Sequence, residues 1–200
     1  MTMFFAMAMF AFVTSISPGP VNILATVTGA NFGYSRTVPH ILGATIGFVS
    51  ILFLLGLGFA QVISSSLVIT KALTYLGGVF LLYLAYKVAT IHEINADNSV
   101  SGSAPSLSQG ILCQWLNPKA WIVSLSGISV FFNTGDVVSS DLMIFCFIFF
   151  IVCYASISIW AIVGLTIGTT LKKSKHYKIF NITMGGLLAL SVVYVFFLSL

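Results

Sequence analysis

Apolar residues run through the chain in blocks of span length, separated by short polar stretches. Six blocks, at about residues 3–31, 39–63, 66–89, 109–132, 138–169 and 177–198, are long enough to cross about 30 Å of hydrocarbon as helices. The one real loop is the polar stretch 91–108, which holds Glu93, Asp97, Asn98, Gly102 and Pro105. The pattern predicts an all-α integral membrane protein, a single transmembrane domain over 1–200 with six transmembrane helices. A first three-helix unit covers 1–90, a cytoplasmic loop 91–108 and a second three-helix unit 109–200.

Two of the blocks are interrupted. The first carries Ser17-Pro18-Gly19-Pro20-Val21-Asn22, the fourth Leu116-Asn117-Pro118-Lys119-Ala120. Proline removes a backbone donor, and lipid cannot satisfy the groups that a break sets free. Such backbone must face protein or a wet cavity, and paired breaks in two halves point to a transporter's binding site. The candidate substrate-binding residues are therefore Ser17, Pro18, Gly19, Pro20 and Asn22 at one break, and Gln114, Asn117, Pro118 and Lys119 at the other. The bland alternative is a pair of proline kinks satisfied by neighbouring side chains. Lys119 reads two ways: as a cation facing a substrate carboxylate or a proton path, or as a side chain snorkelling to the interface.

The halves resemble each other. Gly77-Gly78 precede Tyr86, and Gly185-Gly186 precede Tyr194 at the same spacing. Three spans are an odd number, so a repeated unit inserts upside down. A 3+3 inverted repeat with broken first and fourth helices is the expectation. Chance is the alternative, since glycines are common where membrane helices approach closely. Gly43-x-x-x-Gly47 and Gly164-x-x-x-Gly168 fit such close crossings.

Composition agrees with a bilayer setting: 58% of residues are hydrophobic, 6% are charged, and the mean hydropathy is +1.10. A soluble domain carries about 25% charged residues. The net charge of +4 does not point to nucleic acid, because the basic residues are scattered or flank the spans. Arg36, Lys87 and the cluster Lys172, Lys173, Lys175 and Lys178 fall on one side, Lys71, Asp136 and Asp141 on the other. The bias toward positive cytoplasmic loops puts the first set inside and both chain ends outside. His40 reads as interfacial, and Arg36 and Lys87 as topology anchors. Residues 3–16 resemble the apolar core of a signal peptide, but no Lys or Arg precedes them, so they read as a retained first span.

Candidate chemistry is sparse. Cys113, Cys146 and Cys153 all lie in apolar segments and read as small packers. No paired carboxylates, nucleotide loop or nucleophile–base set occurs in the spans, so no enzyme activity and no cofactor is expected. His92, Glu93 and Asp97 are too thin a set for a metal site.

The run Ile16-Ser17-Pro18-Gly19-Pro20-Val21-Asn22, with Leu116-Asn117-Pro118-Lys119-Ala120 opening the second half, resembles the LysE/RhtB family of six-span bacterial amino-acid exporters. Asn22-Ile23-Leu24-Ala25, Gly43-x-x-x-Gly47-Phe48 and Leu84-Ala85-Tyr86-Lys87-Val88-Ala89-Thr90 look most like its cysteine and O-acetylserine exporter branch. The resemblance implies a multi-pass protein of the bacterial inner (cytoplasmic) membrane that exports small amino acids or their derivatives. Many relatives carry an acidic residue where this chain has Phe48. The four acidic residues, Glu93, Asp97, Asp136 and Asp141, are all expected outside the membrane-embedded stretches. Proton coupling through a carboxylate is thus in doubt, leaving Lys119, His40 or the substrate to carry it. Homo-oligomerisation is open.

Two other classes compete. A membrane thiol–disulfide carrier needs a cysteine in each half, and the first half has none. A metal-ion exporter needs His, Asp or Cys ligands within the spans.

Overall fold

The computed structural model describes residues 2–59, 67–91, 103–132, 140–171 and 176–198, and all regular structure among them is helical. In chain order the helices are α1 (Thr2–Ile16), α2 (Pro20–Phe32), α3 (Tyr34–Leu54), α4 (Leu67–Ala89), α5 (Leu107–Trp115), α6 (Pro118–Phe131), α7 (Ser140–Leu171) and α8 (His176–Leu198). A π-helical turn, Leu55–Phe59, extends α3. Most of the 91–108 loop, Asp136 and the lysines at 172, 173 and 175 lie outside the described residues.

Local chemistry sets the ends of these helices. Pro20 and Pro118 each occupy the first turn of a helix, where no intrahelical partner for an N–H is needed. Asn117 caps α6 by accepting from the Lys119 amide at 3.2 Å. Helix α5 begins at Leu107, two residues before the sequence-based start, because Ser106 and Gln109 form a reciprocal capping box. Between α2 and α3 the chain turns at Gly33, whose φ of 81° is open to glycine at little cost.

Both predicted breaks exist. Helices α1 and α2 form one bent pair with a 61° angle between the arms. Helices α5 and α6 part at Leu116 and Asn117. Among the described residues, Tyr34–Phe59 (26 residues) and Ser140–Leu171 (32 residues) are each long and apolar enough to cross a membrane, and the bent pair passes the same test when its two arms are taken together, as a broken span or a re-entrant loop.

Packing depends on glycine. Helix α2 lies chiefly on α7, α3 on α5, and α4 on α8. A Cβ on Gly29 would sit 2.0 Å from the Ala161 carbonyl oxygen, and one on Gly164 would sit 1.9 Å from that of Thr26. A Cβ on Gly43 would sit 2.0 Å from the Leu107 carbonyl oxygen. The two glycine stripes are therefore backbone-to-backbone crossings. Along α7, Phe145, Phe149, Cys153, Ile157, Ala161, Gly164 and Gly168 form the buried stripe, while Phe147 and Ile151 point outward. An apolar outer surface of this kind suits lipid.

Three polar groups depart from expectation or add to it. His40 of α3 is fully buried within the protein, and among the described residues neither ring nitrogen has a hydrogen-bond partner. It stands six residues inside the helix, next to the α3–α5 crossing, where a Gly110 Cβ would meet its carbonyl oxygen at 2.4 Å. Asp141 lies in the first turn of α7, where the helix dipole favours a negative charge. Away from the breaks, Asn31 of α2 accepts from Tyr177 and donates to Asn181 Oδ1 at 3.1 Å, and Asn181 donates to the Ile91 carbonyl at 3.1 Å. This network ties α8 to the ends of α2 and α4.

Candidate functional site

A helix that stops inside a membrane leaves its last carbonyls without intrahelical donors. At the end of α1 these are supplied from three other elements. Asn22 Nδ2 donates to Ser15 O at 2.8 Å and to Ser17 O at 2.9 Å. Trp160 Nε1, on α7, donates to Ile16 O at 2.9 Å. Lys119 Nζ, on α6, donates to Ser17 O at 3.0 Å and to Ser17 Oγ at 2.7 Å. The second break is closed in a similar way. Trp121 Nε1 donates to Trp115 O at 2.7 Å, and Asn117 Nδ2 donates to Gln114 Oε1 at 3.2 Å.

The Lys119 ammonium therefore turns toward the first break. Its side chain lies along the Gly19 backbone, where an added Cβ would sit 3.3 Å from Cδ. A lysine bridges the two interruptions across 102 positions of sequence.

A cavity opens where the breaks meet. Gly19, Asn22, Gln114, Asn117 and Lys119 line it, together with Thr14, Ser15, Phe48 and Cys153. Its volume is about 40 Å³. Of the residues singled out from sequence, the structure gathers Gly19, Asn22, Gln114, Asn117 and Lys119 here, and Ser17 adjoins the cavity through its bonds to Lys119. Pro18 is exposed, and neither Pro20 nor Pro118 lines the cavity. The prolines act on the backbone and present nothing to the space.

Three further lining residues, Thr14, Ser15 and Cys153, carry no signal of a site in the sequence, whereas Phe48 stands out there as the apolar residue at a position of interest. Thr14 and Ser15 look like ordinary residues of an apolar helix. Cys153 reads as a packer, yet it faces the cavity beside Thr45, Ser15 and Lys119. Phe48 stacks on Phe149 with ring centroids 4.8 Å apart and forms an apolar wall. The three cysteines are free and buried. Among the described residues no group of three or more His, Cys, Asp or Glu is placed to hold a metal ion.

Trp160→Phe keeps an aromatic ring, though a smaller one, and removes the donor to Ile16 O. The orphaned carbonyl should cost about 1–3 kcal/mol and lower the thermal midpoint of the purified protein by several degrees. An unchanged melting curve would show that this indole bond adds nothing to the break.

Residues 12–199 match the LysE type translocator family. Curated proteins similar to the chain include the cysteine/O-acetylserine efflux proteins of Salmonella paratyphi A and Salmonella typhi, each 26% identical over 123 residues, 61% of this chain and 62% of theirs. That of Escherichia coli K12 is 23% identical over the same shares. The chain spans 62% of the length of these curated relatives. No solved structure matches it.

Proposed function

The chain belongs to the LysE type translocator family, and on that premise we propose that it is a secondary transporter that exports small amino acids or their derivatives across the bacterial cytoplasmic membrane. The names of its relatives make cysteine and O-acetylserine the first substrates to try. The observation that carries the reading is the polar cavity at the meeting point of two helix breaks, in a chain whose outer surface is apolar. Only at such a place does membrane-embedded irregular backbone have work to do.

The architecture proposed is six spans with both ends outside, in two units of opposite orientation. The nine break residues named from sequence form the binding region, the prolines by shaping it and the others by contact. Alternating access would then rock one unit against the other around this cavity.

Overexpression in cells exposed singly to inhibitory amino acids and derivatives tests the function: protection against at least one of them is expected, with lowered internal concentration. No protection and no change in internal pools would overturn it. Topology is tested separately. Reporters fused at Asp97 and Lys175 should read cytoplasmic, and reporters at Gly135 and after Leu200 external, as the lysine bias requires. A cytoplasmic reading after Leu200 would remove the six-span scheme and the inverted repeat with it.

A further inference from the structure

The hydrogen bonds at the two breaks fix which end of each amide faces inward. Asn22 donates to two carbonyls, Ser15 O and Ser17 O, and a carbonyl can only accept. Its nitrogen is therefore committed, and among the described residues no bond to Oδ1 competes with a ligand for that acceptor. At the other break the order runs from a backbone N–H. Lys119 N donates to Asn117 Oδ1, so Asn117 Nδ2 is the donor to Gln114 Oε1. The Gln114 carboxamide then keeps a free nitrogen. Both Asn22 and Gln114 are 5% exposed, and both line the cavity.

Backbone donors do not compete for the same role at the second break. Pro118 has no N–H, Lys119 N is held by Asn117 Oδ1, and Ala120 N is held by Asn117 O at 3.0 Å. The start of α6 thus offers no free amide in its first three positions. Side chains remain: the Gln114 nitrogen and the third hydrogen of the Lys119 ammonium, whose other two go to Ser17.

We infer that the two breaks read opposite ends of a zwitterion, Asn22 Oδ1 taking the substrate's ammonium and Gln114 Nε2, with Lys119, taking its carboxylate. The assignment rests on the export reading and adds to it an orientation and a charge requirement. One cation and no acidic side chain line the cavity. A ligand that carries a carboxylate is favoured there, and one that carries only an ammonium is opposed.

Counterflow of labelled L-cysteine in proteoliposomes, under reductant, tests the assignment without reference to the coupling ion. The competitors are L-cysteine, its methyl ester, which lacks the carboxylate charge, and N-acetyl-L-cysteine, which lacks the ammonium. The parent should be inhibited at least tenfold less well by either derivative than by cysteine. Gln114→Glu keeps the acceptor toward Asn117 and replaces the free donor by a negative oxygen. It should weaken competition by cysteine at least tenfold and narrow or reverse its advantage over the methyl ester. Gln114→Met, without the charge, should lose cysteine relative to the ester to a lesser degree. Unchanged competitor order in both variants, or equal loss of cysteine and ester, overturns the assignment while leaving export intact. Failure of both variants to fold overturns it too, since Gln114 is then a structural residue. Parent proteoliposomes with no counterflow of cysteine, O-acetylserine or serine overturn the export reading and the assignment together.

Discussion

Gly164→Ala is expected to abolish the folded protein. The methyl group would stand 1.9 Å from the Thr26 carbonyl oxygen, and the obstacle is helix backbone, not the end of a flexible side chain. Relief requires α2 and α7 to separate. The same crossing holds Gly29 against Ala161 and Gly168 against Ala30, so separation loosens the whole contact. Overpacking at a well-packed site usually costs about 1–3 kcal/mol, and a backbone clash of this size belongs at or beyond the upper end. Gly186→Ala is the matched control. It adds the same methyl group to a membrane helix, with nothing within 4 Å of the new atom. Monodisperse protein recovered from detergent should fall at least tenfold for Gly164→Ala and stay at the parent level for Gly186→Ala. Equal recovery of the two would mean that the α2–α7 crossing is looser than described.

Lys119→Met is expected to fold and to lose export. Methionine keeps most of the apolar stem. Ser17 O retains its bond from Asn22, so the first break stays capped after the ammonium is gone. The loss falls on function, because the one cation that lines the cavity among the described residues and the bridge between the breaks disappear together. A charge-assisted bond is worth about 1.5–3 kcal/mol, or about tenfold to a hundredfold in transport efficiency. Lys119→Arg should keep part of the activity, since the charge remains but a planar fork replaces a compact ammonium. The measurement is initial counterflow rate at several substrate concentrations, at matched expression. Parent-like rates in Lys119→Met would assign the lysine to capping α1 alone.

The sequence by itself determined what depends on local chemistry. Prolines at 18, 20 and 118 announce both helix breaks, because a missing N–H and a fixed φ act on the chain wherever it lies. The glycine pairs at 43 and 47 and at 164 and 168 announce close crossings, because only glycine permits backbone contact. The start of α5 escaped the hydropathy pattern, because the capping box of Ser106 and Gln109 sets it and not the first apolar residue of the block.

Tertiary structure alone decided which faces turn inward. In water a helix shows its buried side by apolar contrast, but lipid is as apolar as a protein core, so that contrast vanishes here. Phe147 and Phe149, two residues apart on α7, look alike in sequence, yet one meets the outside and the other the core. For the same reason His40 reads as interfacial and is buried, and Cys153 reads as packing and lines the cavity. The site itself is a long-range product. Lys119 meets Ser17, and Trp160 meets Ile16, only because glycine lets helices from the two halves cross at backbone distance. Spacing along the chain shows that the breaks exist, while the crossings bring them to one place.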